Sequence, residues 1–156
     1  MTSVVNLFEV ALEADETDPE GYRASAVRVG PLIGAFALGL SVYGLPPGQS
    51  ICPYHYEYPE EEWLVVLEGH PTLRDPAGEH ELEPWDAVCF PVGPAGAHKV
   101  TNRTQEGVLV AMLSTKHATA VAIYPDSGKI GAWSGDGELK HLFRRADAVD
   151  YYDGEV

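Results

Sequence analysis

The stretch CPYHYEYPEEEWLVVLEG, Cys52 to Gly69, places one histidine and several carboxylates directly before a short apolar run. Side chains at i and i+2 of a strand point to the same face, so His55 and Glu57 share a face if this segment is extended. Glu62 follows the turn YPEE and begins an apolar strand that Gly69 closes, and a hairpin of this length can return Glu62 to His55. The stretch therefore predicts either a solvated acidic turn or a metal site at the mouth of a barrel.

A second segment, FPVGPAGAHKVTN at residues 90–102, supplies another histidine after a turn rich in glycine and proline. Asn102 lies four residues after His98, and we expect both side chains on one face. His98 is therefore the candidate partner of His55 and Glu62, and Asn102 is expected to pin a turn.

The rest of the chain consists of short alternating segments separated by turn residues, and helical periodicity is absent from about residue 22 to residue 125. Short strands at a spacing of ~8–12 residues predict an all-β sandwich or barrel. The tail GELKHLFRRADAVDYYDGEV is predicted to hold a short helix near residues 137–147 or to be irregular. We expect one domain, with an N-terminal arm at 1–21, a barrel at 22–125 and a C-terminal extension at 126–156 that packs on the barrel.

The two segments together resemble the paired motifs of the cupin superfamily, small β-barrels also called double-stranded β-helices. The first family motif is His-x-His, a few residues, Glu, and a short strand to Gly; His55, Glu62 and Gly69 match it. The second runs from Gly to Pro-x-Gly, His and Asn, and is matched by Pro91, Gly93, His98 and Asn102. The resemblance covers roughly residues 35–115 and implies a jelly-roll-like cupin barrel.

Three positions depart from the family pattern. Glu57 replaces the second histidine of the first motif, Trp85 replaces the glycine that opens the second, and the turn before His98 is two residues longer. The resemblance implies a divalent transition metal, Fe, Mn, Ni or Zn, which nitrogen and oxygen ligands suit. The predicted ligands are His55, Glu57, Glu62 and His98, with the alternative that Glu57 turns away and leaves three.

The resemblance also implies a metalloenzyme, dioxygenase-like or isomerase-like, that acts on a small organic molecule. The alternative is a non-catalytic module that binds or senses a small ligand. We expect an apolar pocket, which favours an aromatic or apolar substrate over a free sugar. Its predicted lining is Phe36, Leu38, Leu64, Val66, Phe90 and Val100.

Composition limits the partners and the compartment. A formal net charge of −14 argues against nucleic acids and anionic membranes as partners, because both repel an acidic surface. The N-terminus lacks a secretory pattern, and no apolar run approaches the ~20 residues of a membrane helix. Two cysteines make no disulfide framework, so a reduced cytoplasmic setting is predicted. A homodimer is predicted, with the acidic arm and the aromatic tail as its candidate docking elements.

Overall fold

The computed structural model describes residues 3–156, and antiparallel β-strands dominate that part of the chain. The first two residues of the predicted arm lie outside the described residues. The strands are β1 (Glu13–Ala14), β2 (Ser25–Arg28), β3 (Leu38–Leu45), β4 (Tyr56–Tyr58), β5 (Glu62–Glu68), β6 (Thr72–Asp75), β7 (Gly78–Glu81), β8 (Ala87–Phe90), β9 (Lys99–Thr101), β10 (Val108–Thr115), β11 (Thr119–Tyr124), β12 (Lys129–Ser134) and β13 (Lys140–Arg144). Helical structure is limited to α1 (Val29–Leu32) and two 3-10 turns, Pro94–Gly96 and Arg145–Asp147, among the described residues. This confirms the all-β prediction.

A six-stranded sheet in the order β1-β2-β3-β10-β5-β8 forms the main wall of the barrel. Its long central strand β10 pairs with β3 on one side and with β5 on the other. Alternation along these strands sends one set of apolar side chains to the inner face, where Leu64, Val66 and Val110 are fully buried. These buried side chains form the apolar core inside the barrel.

The outer face of the same sheet is covered by the N-terminal arm. Val42 and Ala111 are buried on this face, and Val5, Leu7 and Leu12 of the arm pack against their cluster. Burial of apolar area is the main favourable term in such packing. The described part of the arm thus closes an apolar surface that would otherwise face solvent.

Two smaller sheets complete the structure, a four-stranded one in the order β13-β12-β11-β4 and a three-stranded one in the order β7-β6-β9. The helix predicted near residues 137–147 is wrong, because residues 140–144 form β13 and pair with β12. The reason is the turn before it: Ser134 and Asp136 bond each other and the backbone of the 138–139 segment, and Gly137 takes a φ of +81°. Turn chemistry and pairing with β12 override the helical propensity of the tail.

Two turns show how a motif glycine is used and how one is replaced. Gly69 has a φ of +79°, and a Cβ there would approach Gly107 O to 2.7 Å, so both conformation and space require glycine. Trp85 has a φ of +75°, although an exposed tryptophan is disfavoured in the left-handed region. The chain therefore keeps the glycine conformation at the second motif without the glycine.

No helix in the described part of the chain has both the length and the apolar character needed to cross a membrane.

Candidate metal centre

The two motif histidines face each other because their backbones are paired. His55 N donates to His98 O at 3.1 Å, and His98 N donates to His55 O at 2.8 Å, which makes an isolated antiparallel bridge. Residues directly opposite each other in an antiparallel pair project side chains to the same face. The imidazole centroids accordingly lie 4.8 Å apart.

Both imidazoles have their Nδ1 atoms engaged and their Nε2 atoms directed to the centre. His55 Nδ1 donates to Pro53 O at 3.0 Å, and His98 Nδ1 donates to Gly96 O at 2.9 Å. A carbonyl oxygen only accepts, so each Nδ1 carries the hydrogen and each Nε2 presents a lone pair. This fixes both rings in the tautomer that binds metals through Nε2.

His98 Nε2 is a buried polar atom without a hydrogen-bond partner among the described residues. The carboxylate of Glu62 is its nearest acid, with Oε2 3.7 Å from His98 Nε2 and 3.8 Å from His55 Nε2. These distances are too long for hydrogen bonds, and a buried polar atom left unpaired is costly. They leave room for an ion bound at about 2.0–2.2 Å from each atom, so the residues fit a divalent metal.

His55, Glu62 and His98 form a group, called the metal group below, whose potential ligating atoms all lie within 4.8 Å of one another. Glu62 reaches this position as the first residue of β5, where it pairs with Phe90 of β8 and Ser114 of β10. Three protein ligands of this type leave further coordination positions open for a substrate. The hypothesis of a solvated acidic turn does not describe this buried convergence.

Burial keeps the histidines neutral and opposes ionisation of the carboxyl group. Desolvation, reinforced by His55, lowers the pKa of His98 to about 4, and desolvation also lowers the pKa of His55. Desolvation, reinforced by Glu57 and Glu60, raises the pKa of Glu62 to about 8. A cation bound between the two neutral imidazoles would stabilise the ionised form of the Glu62 carboxyl group.

Glu57 lies beside this group without belonging to it. Its Oε1 is 3.8 Å from His55 Nε2, but Glu57 is not a member of the set that lies within 4.8 Å. Burial, then the neighbouring Glu60, raises the pKa of Glu57 to about 7, while Lys116 acts against this rise. Lys116 Nζ lies 3.4 Å from Glu60 Oε2, so one cation partly offsets the acidic cluster.

Aromatic rings hold the two imidazoles in place. Phe90 stacks on His98 with centroids 3.7 Å apart and an angle of 8° between the rings, and Tyr124 stacks on His55 at 5.8 Å and 21°.

Cys52 Sγ also lies 3.5 Å from His55 Nδ1. Residues 51–54 are bends outside any strand, so strand alternation does not separate Cys52 from His55. Burial raises the pKa of Cys52 to about 12, which keeps its thiol protonated.

Asn102 organises the turn after the second motif, as the sequence predicts. Its side chain is fully buried, and Nδ2 donates to Leu45 O at 2.8 Å and to Glu106 O at 2.6 Å. Its Oδ1 accepts from the backbone and hydroxyl of Thr104. Asn102 is therefore a structural residue of the turn, because both ends of its amide are engaged there.

The metal group opens into a cavity of about 830 Å³. Phe36, Leu38 and Val100 line it as predicted. The other predicted lining residues, Leu64, Val66 and Phe90, belong instead to the buried core. Several polar residues of the wall carry no signal in the sequence, because their neighbours in the cavity come from other strands. These are Arg28, Ser41, Ser114, Lys116 and Tyr124.

Comparison with known proteins identifies the fold around this site. Residues 41–116 match the family model for a cupin domain. The structure superposes on a sugar phosphate isomerase of the cupin superfamily from Silicibacter pomeroyi with a TM-score of 0.81, at 24% identity, covering 96% of this chain and 98% of that one. No match was found among proteins of curated function.

Two further solved structures are similar. A candidate sugar phosphate isomerase from Acidithiobacillus ferrooxidans gives a TM-score of 0.77 at 26% identity, covering 89% of this chain and 86% of that one. A polyketide cyclase from Streptomyces resistomycificus gives 0.61 at 22% identity, covering 74% of this chain and 80% of that one. The same barrel therefore occurs in proteins described with different activities, so the fold alone does not specify a reaction.

Proposed function

Because the chain belongs to the cupin superfamily, we propose that it is a divalent-metal-dependent isomerase acting on a small hydroxy-carbonyl molecule of the sugar type. The observation that carries the proposal is the unpartnered His98 Nε2, which lies near His55 Nε2 and the Glu62 carboxylate in the lining of a large cavity. Similarity to two proteins described as sugar phosphate isomerases supports the choice of reaction.

We propose His55, Glu62 and His98 as the metal ligands. A bound divalent ion would supply Lewis-acid stabilisation of the negative charge that develops on the carbonyl oxygen. The hydrogen bonds from the two Nδ1 atoms to backbone carbonyls keep both Nε2 atoms directed to the ion. The stacked rings of Phe90 and Tyr124 limit rotation of the imidazoles.

In this proposal Glu57 is the base that moves a proton between neighbouring carbon atoms of the substrate. Its carboxylate lies beside the ligand group and lines the same cavity. Isomerisation moves a proton from the hydroxyl-bearing carbon to the carbonyl carbon, while the hydroxyl proton passes to the former carbonyl oxygen, so one carboxylate can perform both transfers at carbon. Glu57 as a fourth ligand is the alternative expectation, and the two roles predict different metal contents in a Glu57 variant.

The polar wall of the cavity supports a hydroxylated substrate over the apolar one that the sequence predicts. Ser41, Ser114 and Tyr124 present hydroxyl groups in the same cavity as the metal group. Hydroxyl groups of a sugar-like molecule can exchange hydrogen bonds with such a wall, whereas an aromatic substrate would leave these groups unpaired.

The test combines metal analysis with turnover. We expect purified protein to contain a divalent transition metal at one ion per chain by mass spectrometry, and His98→Ala to lose it. Wild-type protein should isomerise at least one member of a panel of aldoses, ketoses and their phosphate esters. Glu61→Gln is the matched control, because Glu61 is an exposed neighbour that bonds the Trp63 indole outside the group. Metal that persists in His98→Ala would contradict the ligand assignment.

The same experiment separates the enzyme from a non-catalytic binding module. Bound metal without turnover of any panel member would favour the module. Oxygen uptake during turnover would instead favour the dioxygenase-like alternative, because isomerisation consumes no oxidant.

We also propose a homodimer, and the cytoplasmic setting stays a prediction. Every residue of the edge strand β13 is exposed, including Leu142 and Phe143, and Tyr151 and Tyr152 of the tail are exposed as well. Exposed apolar groups next to a free strand edge favour association with another chain. Light scattering should give twice the monomer mass, and a monomer mass would contradict the proposal.

A further inference from the structure

A row of polar side chains extends from the metal group across the inner face of the main sheet. In the strand register, Glu62 of β5 lies opposite Ser114 of β10, and Ser114 lies opposite Gly39 of β3. In the neighbouring row, Ser41 of β3 lies opposite Arg28 of β2. Directly opposed residues of antiparallel strands share a face, and so do residues two apart, so all of these positions face the cavity.

Gly39 provides the space in which two of these groups converge. A Cβ at Gly39 would lie 2.7 Å from Ser114 Oγ, 2.6 Å from Lys116 Cε and 3.3 Å from Lys116 Nζ. Gly39 is not among the glycines with a positive φ, so its backbone does not require glycine. Because Gly39 has no side chain, the Ser114 hydroxyl and the Lys116 ammonium group have room above the sheet at this position.

The cations around this position retain donors that the protein does not use. Lys116 Nζ contacts Glu60 Oε2 at 3.4 Å, and an ammonium group has three donors. Arg28 lines the cavity, and no carboxylate of the described residues lies within salt-bridge distance of its guanidinium. In a chain of net charge −14, an unpaired guanidinium that lines the same cavity as a second cation indicates an anionic ligand.

The spacing suits a molecule that reaches from Arg28 to the metal group. Arg28 lies three strands across the sheet from Glu62 and two residues along it, so spacings of about 4.8 Å per strand and about 3.4 Å per residue place their Cα atoms roughly 16 Å apart. The long side chains of Arg28 and Lys116 extend into this gap. The remaining distance is one that a substrate with a short carbon chain and one terminal group can span.

We infer that Ser114 and Lys116, which converge above Gly39, form with Arg28 of the neighbouring row an anion cradle for the phosphate monoester group of a substrate whose other end reaches His55, Glu62 and His98. Two cations and a hydroxyl donor match a doubly charged phosphate, whereas a carboxylate would need one cation. The inference rests on the proposed function for the identity of the far end of the substrate, but the cradle itself is built from residues outside the metal group.

The first test is a calorimetric titration of the purified, metal-containing protein with inorganic phosphate. We expect saturable binding that Arg28→Gln weakens by about tenfold or more, as loss of a charged hydrogen-bonding partner does. Gly39→Ala should also weaken binding, because its Cβ displaces Lys116 and the Ser114 hydroxyl. Arg103→Gln is the matched control, since Arg103 pairs with Glu79 on the surface, and it should bind as wild type does.

The second test compares glycerol 3-phosphate with glycerate, which differ in the anionic group. Wild-type protein should bind the phosphate ester more tightly, and Arg28→Gln should remove most of that preference. Equal phosphate affinity in Arg28→Gln and wild type, no phosphate binding by wild type, or a preference for glycerate would each overturn the cradle.

Metal content is measured on every sample, which separates the cradle from the proposed function. The cradle variants should retain the metal content of wild type. If wild-type protein holds no metal, the ligand assignment fails, while the effect of Arg28→Gln on phosphate affinity still decides the cradle. If phosphate instead bound through the metal, Arg28→Gln would leave its affinity unchanged, and the cradle would be wrong.

Discussion

His55 and His98 exchange both of their backbone hydrogen bonds, and this pairing brings the two imidazoles together. Neither residue lies within one of the longer strands, so the bridge is a local contact between the turns that precede β4 and β9. The carbonyls of Pro53 and Gly96, each two residues before its histidine, then accept from the Nδ1 atoms. Backbone geometry thus determines both where the rings lie and which nitrogen is free.

Substitution of the two acids should separate metal binding from catalysis. Glu62→Gln should reduce metal content at least tenfold, because an amide oxygen lacks the charge that offsets the ion. Glu57→Gln should retain the metal and lose turnover, because Glu57 lies outside the group that converges within 4.8 Å. Metal analysis and initial-rate measurements on the same preparations check both. Loss of metal in Glu57→Gln would instead make Glu57 a fourth ligand.

The contribution of Glu62 to the stability of metal-free protein should fall as the pH rises. Its pKa is raised from 4.5 to about 8 in the folded state, so between these values the folded chain holds a proton that the unfolded chain has released. Stability from this group is therefore present at low pH and is lost as the pH rises to about 8.

Urea denaturation of chelator-treated wild-type and Glu62→Gln protein between pH 5 and pH 8 measures this effect. The free energy of unfolding of wild type should decrease relative to the variant across the window. Added divalent metal should restore wild-type stability most at the alkaline end, where binding displaces fewest protons. A difference between the two proteins that stays constant with pH would refute the prediction.

Replacement of Trp85 by glycine should stabilise the fold. Trp85 has a φ of +75°, and its side chain is exposed, so glycine relieves backbone strain and removes little packing. We expect a gain of roughly 0.5–1 kcal/mol in the free energy of unfolding, measured by denaturant titration. Trp85→Ala is the control, because it removes the ring and keeps the strain. A gain of the same size in Trp85→Ala would assign the effect to the ring.

Removal of the Asn102 side chain should be strongly destabilising. The variant Asn102→Ala removes the hydrogen bonds that the side chain makes to the carbonyls of Leu45 and Glu106 and to the backbone N–H of Thr104. We expect a loss of about 2–4 kcal/mol in the free energy of unfolding. Asn6→Ala is a matched control at an exposed turn, where Asn6 Oδ1 accepts one hydrogen bond, and it should cost far less. Similar losses in the two variants would count against a special role for Asn102.

Local sequence patterns predicted most of the strands and named the candidate metal ligands. The motif around His55 and Glu62 and the motif around His98 predicted three side chains that the structure brings together. This was possible because strand alternation and turn glycines are short-range properties. Local patterns predicted a helix where residues 140–144 form a strand, because a turn and pairing with β12 decide the structure there.

What the sequence by itself determined is the order of strands and turns and the identity of the groups that can bind a metal. Only the tertiary structure decided that Arg28 and Lys116 line the same cavity as that group, that Cys52 and Tyr124 contact His55, and that Leu64 and Val66 belong to the core. The physical reason is that these contacts depend on which strands become neighbours when the sheets close, and non-local pairing leaves no periodic signal along the chain.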